Sequence, residues 1–493
     1  MTQDNLKQKT ANAARWSMVT QVLSKIIAPI TTMVLARILA PEAFGIVAVA
    51  TMVFSLADMI SDTGLKRYLV YKRFEDDEEE SLCASTAFWI NITLSVILMS
   101  MIILFSNQIV SLAGMPGYGS VLVLAVVSLP LTAFITVQTG LLEKKLDFKT
   151  LFGGQVGAKA LLFLGSVPLA LAGYSYWSLI IATLASNVFL AVWLTVKSSW
   201  KPEPRFSLKQ LRRMFKYSIW VIIDSLLNWT TIWAGVFIIA INLDPTSVGY
   251  YRTTTHMSLG IIGIIISATG PVLHSSLSKV QDDEERFSRI FYSLQNYLAL
   301  IVVPIAFGAL VYRDLITLFF LGQQWQDTAT FFGLSIFASS IHVLFSFLVI
   351  NACFAKGKPR QPVIIRGIYL VPMVASLHYC SLQGYEFLSV FFPATQLLLP
   401  AIALFFAKHL LNVSVYKMVS NSKWFYLIAL AASTQGVIVT TLSDSAVLAA
   451  ISIIVFLATY VLLVCLIKPA RITLVEFFDK MGWMKGVVLQ LRR

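Results

Sequence analysis

Charge is scarce in this chain. Of 493 residues, 13% are charged, whereas soluble proteins carry about 25%. Acidic residues are the scarcer sign, 25 against 38 Lys and Arg, which leaves a net charge of +13. Cysteine is rare as well. Cys83, Cys353, Cys380 and Cys465 lie far apart and form no CxxC pair, so neither a disulfide framework nor a metal site is expected. Further motifs are missing: no GxxxxGK[ST] for a bound nucleotide, no HExxH and no GxSxG. These absences exclude a soluble enzyme, a nucleic-acid binder and a disordered scaffold. No cofactor is expected, apart from H+ or Na+ as candidate coupling ions.

Hydrophobic residues are abundant, at 57%, and they are spread over the whole length. A soluble core stops growing near ~250–300 residues. Fourteen membrane spans of about 21 residues use roughly 290 positions, which fits this composition. Apolar stretches fall at 16–39, 43–63, 84–106, 119–142, 151–172, 175–196, 217–240, 246–268, 291–311, 328–352, 363–380, 386–407, 424–442 and 447–467. The fold class expected is therefore an all-α polytopic membrane protein with about 14 transmembrane helices.

Charge placement supports the count. With a cytoplasmic N-terminus, 33 of the 38 basic residues fall in cytoplasmic segments and one, Arg313, in an outward loop. Lys25, Arg37, Lys159 and Arg252 lie within spans. One extra or missing span would scramble this alternation, so both termini are expected in the cytoplasm. The acidic run Glu75–Glu80 reads as a solvated cytoplasmic loop.

An internal repeat is visible. A shift of 204 residues places Trp16 on Trp220, Leu39 on Leu243, Pro41 on Pro245 and Gly45 on Gly249. Six spans separate the copies, so both have the same orientation, and the interface of such repeats is the usual place for a transport site. The expected organisation is an N-lobe over 1–200, a C-lobe over 201–415, and two extra helices with a basic tail over 416–493.

Ionisable groups inside a membrane are costly, which makes each a functional candidate. Gln21, Ser24, Lys25, Ala28 and Thr32 share one helical face; Thr51, Ser55, Asp58 and Asp62 form a polar stripe. Span 7 offers Asp224 and Asn228, and span 5 offers Gln155 and Lys159. Lys25, Asp58, Lys159 and Asp224 lie at one depth, roughly 10–14 Å from the cytoplasmic ends at ~1.5 Å per residue. Paired charges that merely lock helices remain open for each. Arg37 and Arg252 sit near the outward ends, as interfacial anchors or an outer cationic rim.

The block Val34–Gly45, reading VLARILAPEAFG, with Arg15-Trp16-Ser17 before it, resembles bacterial polysaccharide flippases of the Wzx type, in the branch containing the colanic acid exporter. LLEKKLDFK over Leu141–Lys149, Arg205-Phe206-Ser207-Leu208, Asp224–Asn228 and Gly249-Tyr250-Tyr251 fit the same family. The resemblance implies the multidrug/oligosaccharidyl-lipid/polysaccharide exporter fold, with two six-helix lobes and two tail helices, in the bacterial cytoplasmic (inner) membrane. It implies a flippase for an undecaprenyl-diphosphate-linked oligosaccharide, and not an enzyme. Membrane lipid, a polysaccharide polymerase and chain-length or export proteins are the further partners implied; nucleic acid is not. On this reading Lys25 and Lys159 hold the diphosphate, and Gln21, Gln155 and Asn228 meet sugar hydroxyls. Arg37 and Arg252 complete the cavity, and Asp58 and Asp224 bind a coupling cation. The alternative is a cation-coupled drug or metabolite antiporter on the same fold.

Overall fold

The computed structural model describes residues 3–481 apart from 63, 73, 359 and 443–445, with some helical side chains, among them those of Gln21 and Asp224, outside the description. Every regular element among the described residues is helical. The chain divides into two compact units, Met1–Thr253 and Thr254–Arg493.

The first unit holds α1 (Gln3–Ile38), α2 (Pro41–Asp62), α3 (Leu65–Tyr71), α4 (Asp77–Leu104), α5 (Ser106–Leu112) and α6 (Gly119–Val126). It continues with α7 (Leu129–Lys144), α8 (Phe148–Leu171), α9 (Ser175–Lys197), α10 (Leu208–Asn242) and the start of α11 (Pro245–Ser278). The second unit holds the rest of α11, then α12 (Glu284–Val311), α13 (Arg313–Phe320), α14 (Ala329–His342), α15 (Leu348–Ala355) and α16 (Arg360–Leu382). It ends with α17 (Tyr385–Gln396), α18 (Leu398–Leu411), α19 (Val415–Leu442), α20 (Ala446–Leu466) and α21 (Lys468–Met481).

Among the described residues thirteen helical segments are long and apolar enough to cross a membrane, and they correspond to the second through fourteenth expected spans. The first expected span lies on α1, several of whose side chains are outside the description. Two crossings are broken by proline, which removes a ladder donor and clashes with the preceding turn. Pro130 follows the gap between α6 and α7, and Pro393 and Pro400 flank the gap between α17 and α18. A π-turn at Val343–Phe347 joins α14 to α15 within a third crossing.

The acidic run corrects the sequence reading. Asp77–Glu80 are the first turn of α4, not a loop. Asp76 caps this turn by accepting from the Glu79 amide at 2.7 Å. Four carboxylates then sit at the positive end of the helix, where they favour helix over loop. Likewise α10 begins at Leu208, nine residues before the apolar stretch, with the Ser207 hydroxyl accepting from the Gln210 amide at 3.4 Å.

The repeat has a direct structural expression within the first unit. A Cβ placed on Gly45 would lie 1.8 Å from the Pro245 carbonyl oxygen, and one on Gly249 would lie 1.9 Å from the Pro41 carbonyl oxygen. Positions related by the repeat therefore touch each other reciprocally.

Candidate functional site

The candidate site is built on α1 and α8. Small residues bring α8 against α9: a Cβ on Gly153, Gly154 or Gly157 would come within 2.8 Å of Trp193 or Phe189. The Trp193 indole donates to the Thr150 carbonyl at 3.1 Å, and the Ser186 hydroxyl donates to the Ala158 carbonyl at 2.8 Å. With its glycine face spent on α9, α8 turns its 152/155/159 face elsewhere. Phe152, on that face, meets Trp16 of α1 with ring centroids 5.0 Å apart. Toward the other end, Leu35 of α1 and Leu39 just after it pack with Val167 and Ala170 of α8. The two helices are thus parallel and in fixed register.

That register sets the level of the two lysines. Lys25 is nine residues beyond Trp16, and Lys159 is seven beyond Phe152. At ~1.5 Å per residue their depths agree to about 3 Å. Both are half-buried, as is Gln155 one turn below Lys159. Among the described residues no carboxylate lies within ion-pair distance of Lys159. A cation on a half-buried intramembrane face, without a protein anion, is an unneutralised positive charge in a low-dielectric setting. It suits an anionic ligand.

The other candidates fall around this pair. Asp58 on α2 is half-buried and shares the Thr132 hydroxyl of α7 with the Leu129 carbonyl. The Trp229 indole of α10 donates to the Ser55 hydroxyl at 2.9 Å, which fastens α10 beside the α2 polar stripe. Asn228 is exposed next to it, and Arg37 is exposed at the end of α1. The Arg252 guanidinium lies 4.1 Å from the centre of the Trp233 ring, a cation–π contact that ties the start of α11 to α10. Gln21 and Asp224 fall on side chains outside the description, so their contribution is carried by helix position alone. No cluster of three or more His, Cys, Asp or Glu side chains able to hold a metal occurs among the described residues.

Sequence reasoning missed a second charged region at the fringe of the spans. Lys72 pairs with Glu79, and the Gln210 amide donates to the same carboxylate at 3.2 Å. Lys144 lies 3.6 Å from Glu80, donates to the Lys72 carbonyl at 2.9 Å and stands 3.5 Å over the Phe74 ring. Lys66 meets Glu143 at 2.8 Å. Arg205 meets Glu78 at 3.1 Å and Glu203 at 3.2 Å, and the Trp89 indole donates to the Glu203 carbonyl at 2.7 Å. Beneath it Tyr68, Phe88, Trp200 and Met214 form an apolar core, where burial pushes the Tyr68 phenol up. The signal was present in the sequence as acidic and basic runs on segments expected to face the same side; reading them one loop at a time hid their pairing.

A family profile described as "Polysaccharide biosynthesis protein" matches residues 34–330, more than half of the chain. The chain belongs to this polysaccharide biosynthesis protein family. Among relatives, it is 25% identical to the succinoglycan biosynthesis transport protein ExoT of Rhizobium meliloti (strain 1021), over 67% of this chain and 66% of that one. It is 23% identical to the lipopolysaccharide biosynthesis protein WzxC of Escherichia coli (strain K12), over 66% of this chain and 65% of that one. The chain thus spans just under two thirds of the length of these relatives. Among solved structures, lipid II flippase MurJ in an inward closed conformation matches with a TM-score of 0.73 at 14% identity, covering 95% of this chain and 99% of that one. An inward-facing multidrug resistance MATE family transporter of the MOP superfamily matches with a TM-score of 0.60 at 12% identity, over 80% and 94% of the chains. This family member therefore has the MurJ and MATE fold, as the sequence resemblance implied, and is a multi-pass protein of the bacterial inner membrane.

Proposed function

We propose that this protein flips an undecaprenyl-diphosphate-linked oligosaccharide repeat from the inner to the outer leaflet by alternating access, for surface or exported polysaccharide. The observation that carries the reading is the pair of lysines at one level on α1 and α8, with no carboxylate at ion-pair distance from Lys159 among the described residues. A diphosphate presents several acceptor oxygens and two or more negative charges, and ammonium groups bind it as point charges. Gln155 and Asn228 offer amides to sugar hydroxyls, with Gln21 beside them by helix position. The likeness to ExoT, a succinoglycan biosynthesis transport protein, and WzxC, a lipopolysaccharide biosynthesis protein, supports the same substrate class.

In this reading both termini are cytoplasmic, and 1–200, 201–415 and 416–493 act as N-lobe, C-lobe and two tail helices. The lipid tail stays in the bilayer while the head group moves. No covalent chemistry is asked of the protein, so it is a transporter and not an enzyme. Asp58 and Asp224 bind H+ or Na+ or neutralise the lysines between cycles. A polysaccharide polymerase and chain-length or export proteins take the product onward.

The test is deletion of the gene in its host, with extraction of lipid-linked oligosaccharides and scoring of surface polysaccharide. Accumulation of one undecaprenyl-linked repeat with loss of one polymer is the expected result. Unchanged lipid-linked sugars and polymer would overturn it and turn attention to a cation-coupled antiporter, for which Asp58 on the α2 polar stripe is the supporting feature.

A further inference from the structure

The reciprocal contact between the two repeat turns has a mechanical meaning. Pro41 and Pro245 open α2 and α11, and Gly45 and Gly249 lie one turn further on. A Cβ on Gly45 would be 1.8 Å from the Pro245 oxygen, 2.8 Å from its carbonyl carbon and 3.0 Å from the Gly249 nitrogen. A Cβ on Gly249 would be 1.9 Å from the Pro41 oxygen, 2.8 Å from its carbonyl carbon and 3.2 Å from the Gly45 nitrogen. All six obstacles are backbone atoms, which cannot rotate aside as a side chain can. Neither glycine has a positive φ, so neither is there for its conformational freedom. Glycine in a helix weakens it relative to alanine. Only the close approach of two backbones explains both glycines.

A third contact lies at the same end of these helices. Gly114, in the turn after α5, has φ 76°, and a Cβ there would be 1.7 Å from the Ala240 carbonyl oxygen near the end of α10. Beside it the Tyr118 hydroxyl is 3.0 Å from a Glu42 carboxylate oxygen at the start of α2, and burial together with this carboxylate pushes the Tyr118 phenol up. The starts of α2 and α11 are thus drawn together by backbone contact, with backbone atoms as the nearest neighbours of both glycines, and the end of α10 is held against the turn after α5 in the same way. Glycine Cα hydrogens against carbonyl oxygens make weak contacts, which part at low cost.

We propose that Pro41–Gly45 and Pro245–Gly249 form a separable seal across the outward end of the substrate path, shut in this structure and parted when the oligosaccharide leaves. The seal rests on the flippase reading for what passes through it. Its own logic is geometric: two surfaces without side chains close tightly, leave no gap for a sugar, and come apart without dragging locked side chains. The repeat supplies the same turn twice, so one motif makes both halves of the closure.

The experiment uses the full chain with its four native cysteines changed to alanine. Ala40→Cys and Thr246→Cys place one thiol beside each turn. A cleavable bismaleimide joining them should abolish appearance of the oligosaccharide outside, and reductive cleavage should restore it. Separately, Gly45→Ala and Gly249→Ala should raise labelling of the thiol at position 246, where the native side chain is half-buried, by an impermeant maleimide about tenfold, as a minor open population becomes a major one. Where an alanine variant fails to reach the membrane, the cross-link decides alone. Full flipping by the cross-linked protein would overturn the seal, and so would wild-type labelling of glycine variants present at normal levels. If labelling responds as expected but lipid-linked oligosaccharide never accumulates in cells lacking the protein and none appears outside with or without the cross-link, the seal stands and the flippase reading falls.

Discussion

Two charged regions of the first unit differ in how their cations are answered. At the fringe formed by α3, the start of α4, the end of α7 and the linker before α10, Lys66, Lys72, Lys144 and Arg205 each meet a carboxylate. Within the spans, Lys159 meets none among the described residues, although a membrane interior makes an unanswered charge far more costly. Pairing at the fringe is what a folded base requires: helix ends are tied down and charges are satisfied. An unanswered cation at depth serves no such end. On the proposed reading, the difference separates charges that hold the molecule together from a charge kept available for a ligand.

The comparison can be broken in order of expected effect. Lys159→Ala should reduce flipping about 10–100-fold, the loss expected from removing one charge-assisted bond worth ~1.5–3 kcal/mol. Its membrane level should not change, and Lys159→Arg should keep part of the activity. Lys72→Met should act the other way. It leaves Glu79, only 20% exposed, without its cation, and should lower stability by about 1–3 kcal/mol while folded protein still transports. The double variant Lys72→Met/Glu79→Gln should recover part of that loss in a melting measurement. Gly154→Val should cost about 1–3 kcal/mol by forcing α8 from Trp193 and Leu190, and should disturb the lysine level through the shifted helix. Trp229→Phe, which removes the bond to Ser55, should cost about 0.5–1.5 kcal/mol and leave flipping largely intact.

Much of this architecture was legible in the sequence, for physical reasons. Apolar length reports spans because a bilayer demands it, and thirteen of the expected crossings stand as helices. The repeat was legible because Pro and Gly are rare at matching turns. Lys25 and Lys159 were legible as candidates because a membrane makes ionisable residues conspicuous. Their common level needed the contact between Trp16 and Phe152, which no periodicity reveals. The charge cluster at the fringe was misread because Asp77–Glu80 look like a solvated run. Capping by Asp76 and partners as distant as Gln210 and Arg205 convert them into a helix end. The role of Thr132 beside Asp58 was invisible for the same reason: it depends on which helices pack, not on local pattern.

The most direct test of the central claim is transport by purified protein in vesicles carrying an undecaprenyl-diphosphate-linked oligosaccharide in one leaflet. Appearance of the sugar at the opposite face is read by a lectin. The account predicts transfer by the native chain and little by Lys159→Ala at equal protein content. Equal transfer by the two, or none by the native chain against the lipid-linked oligosaccharide of its own host, would contradict it.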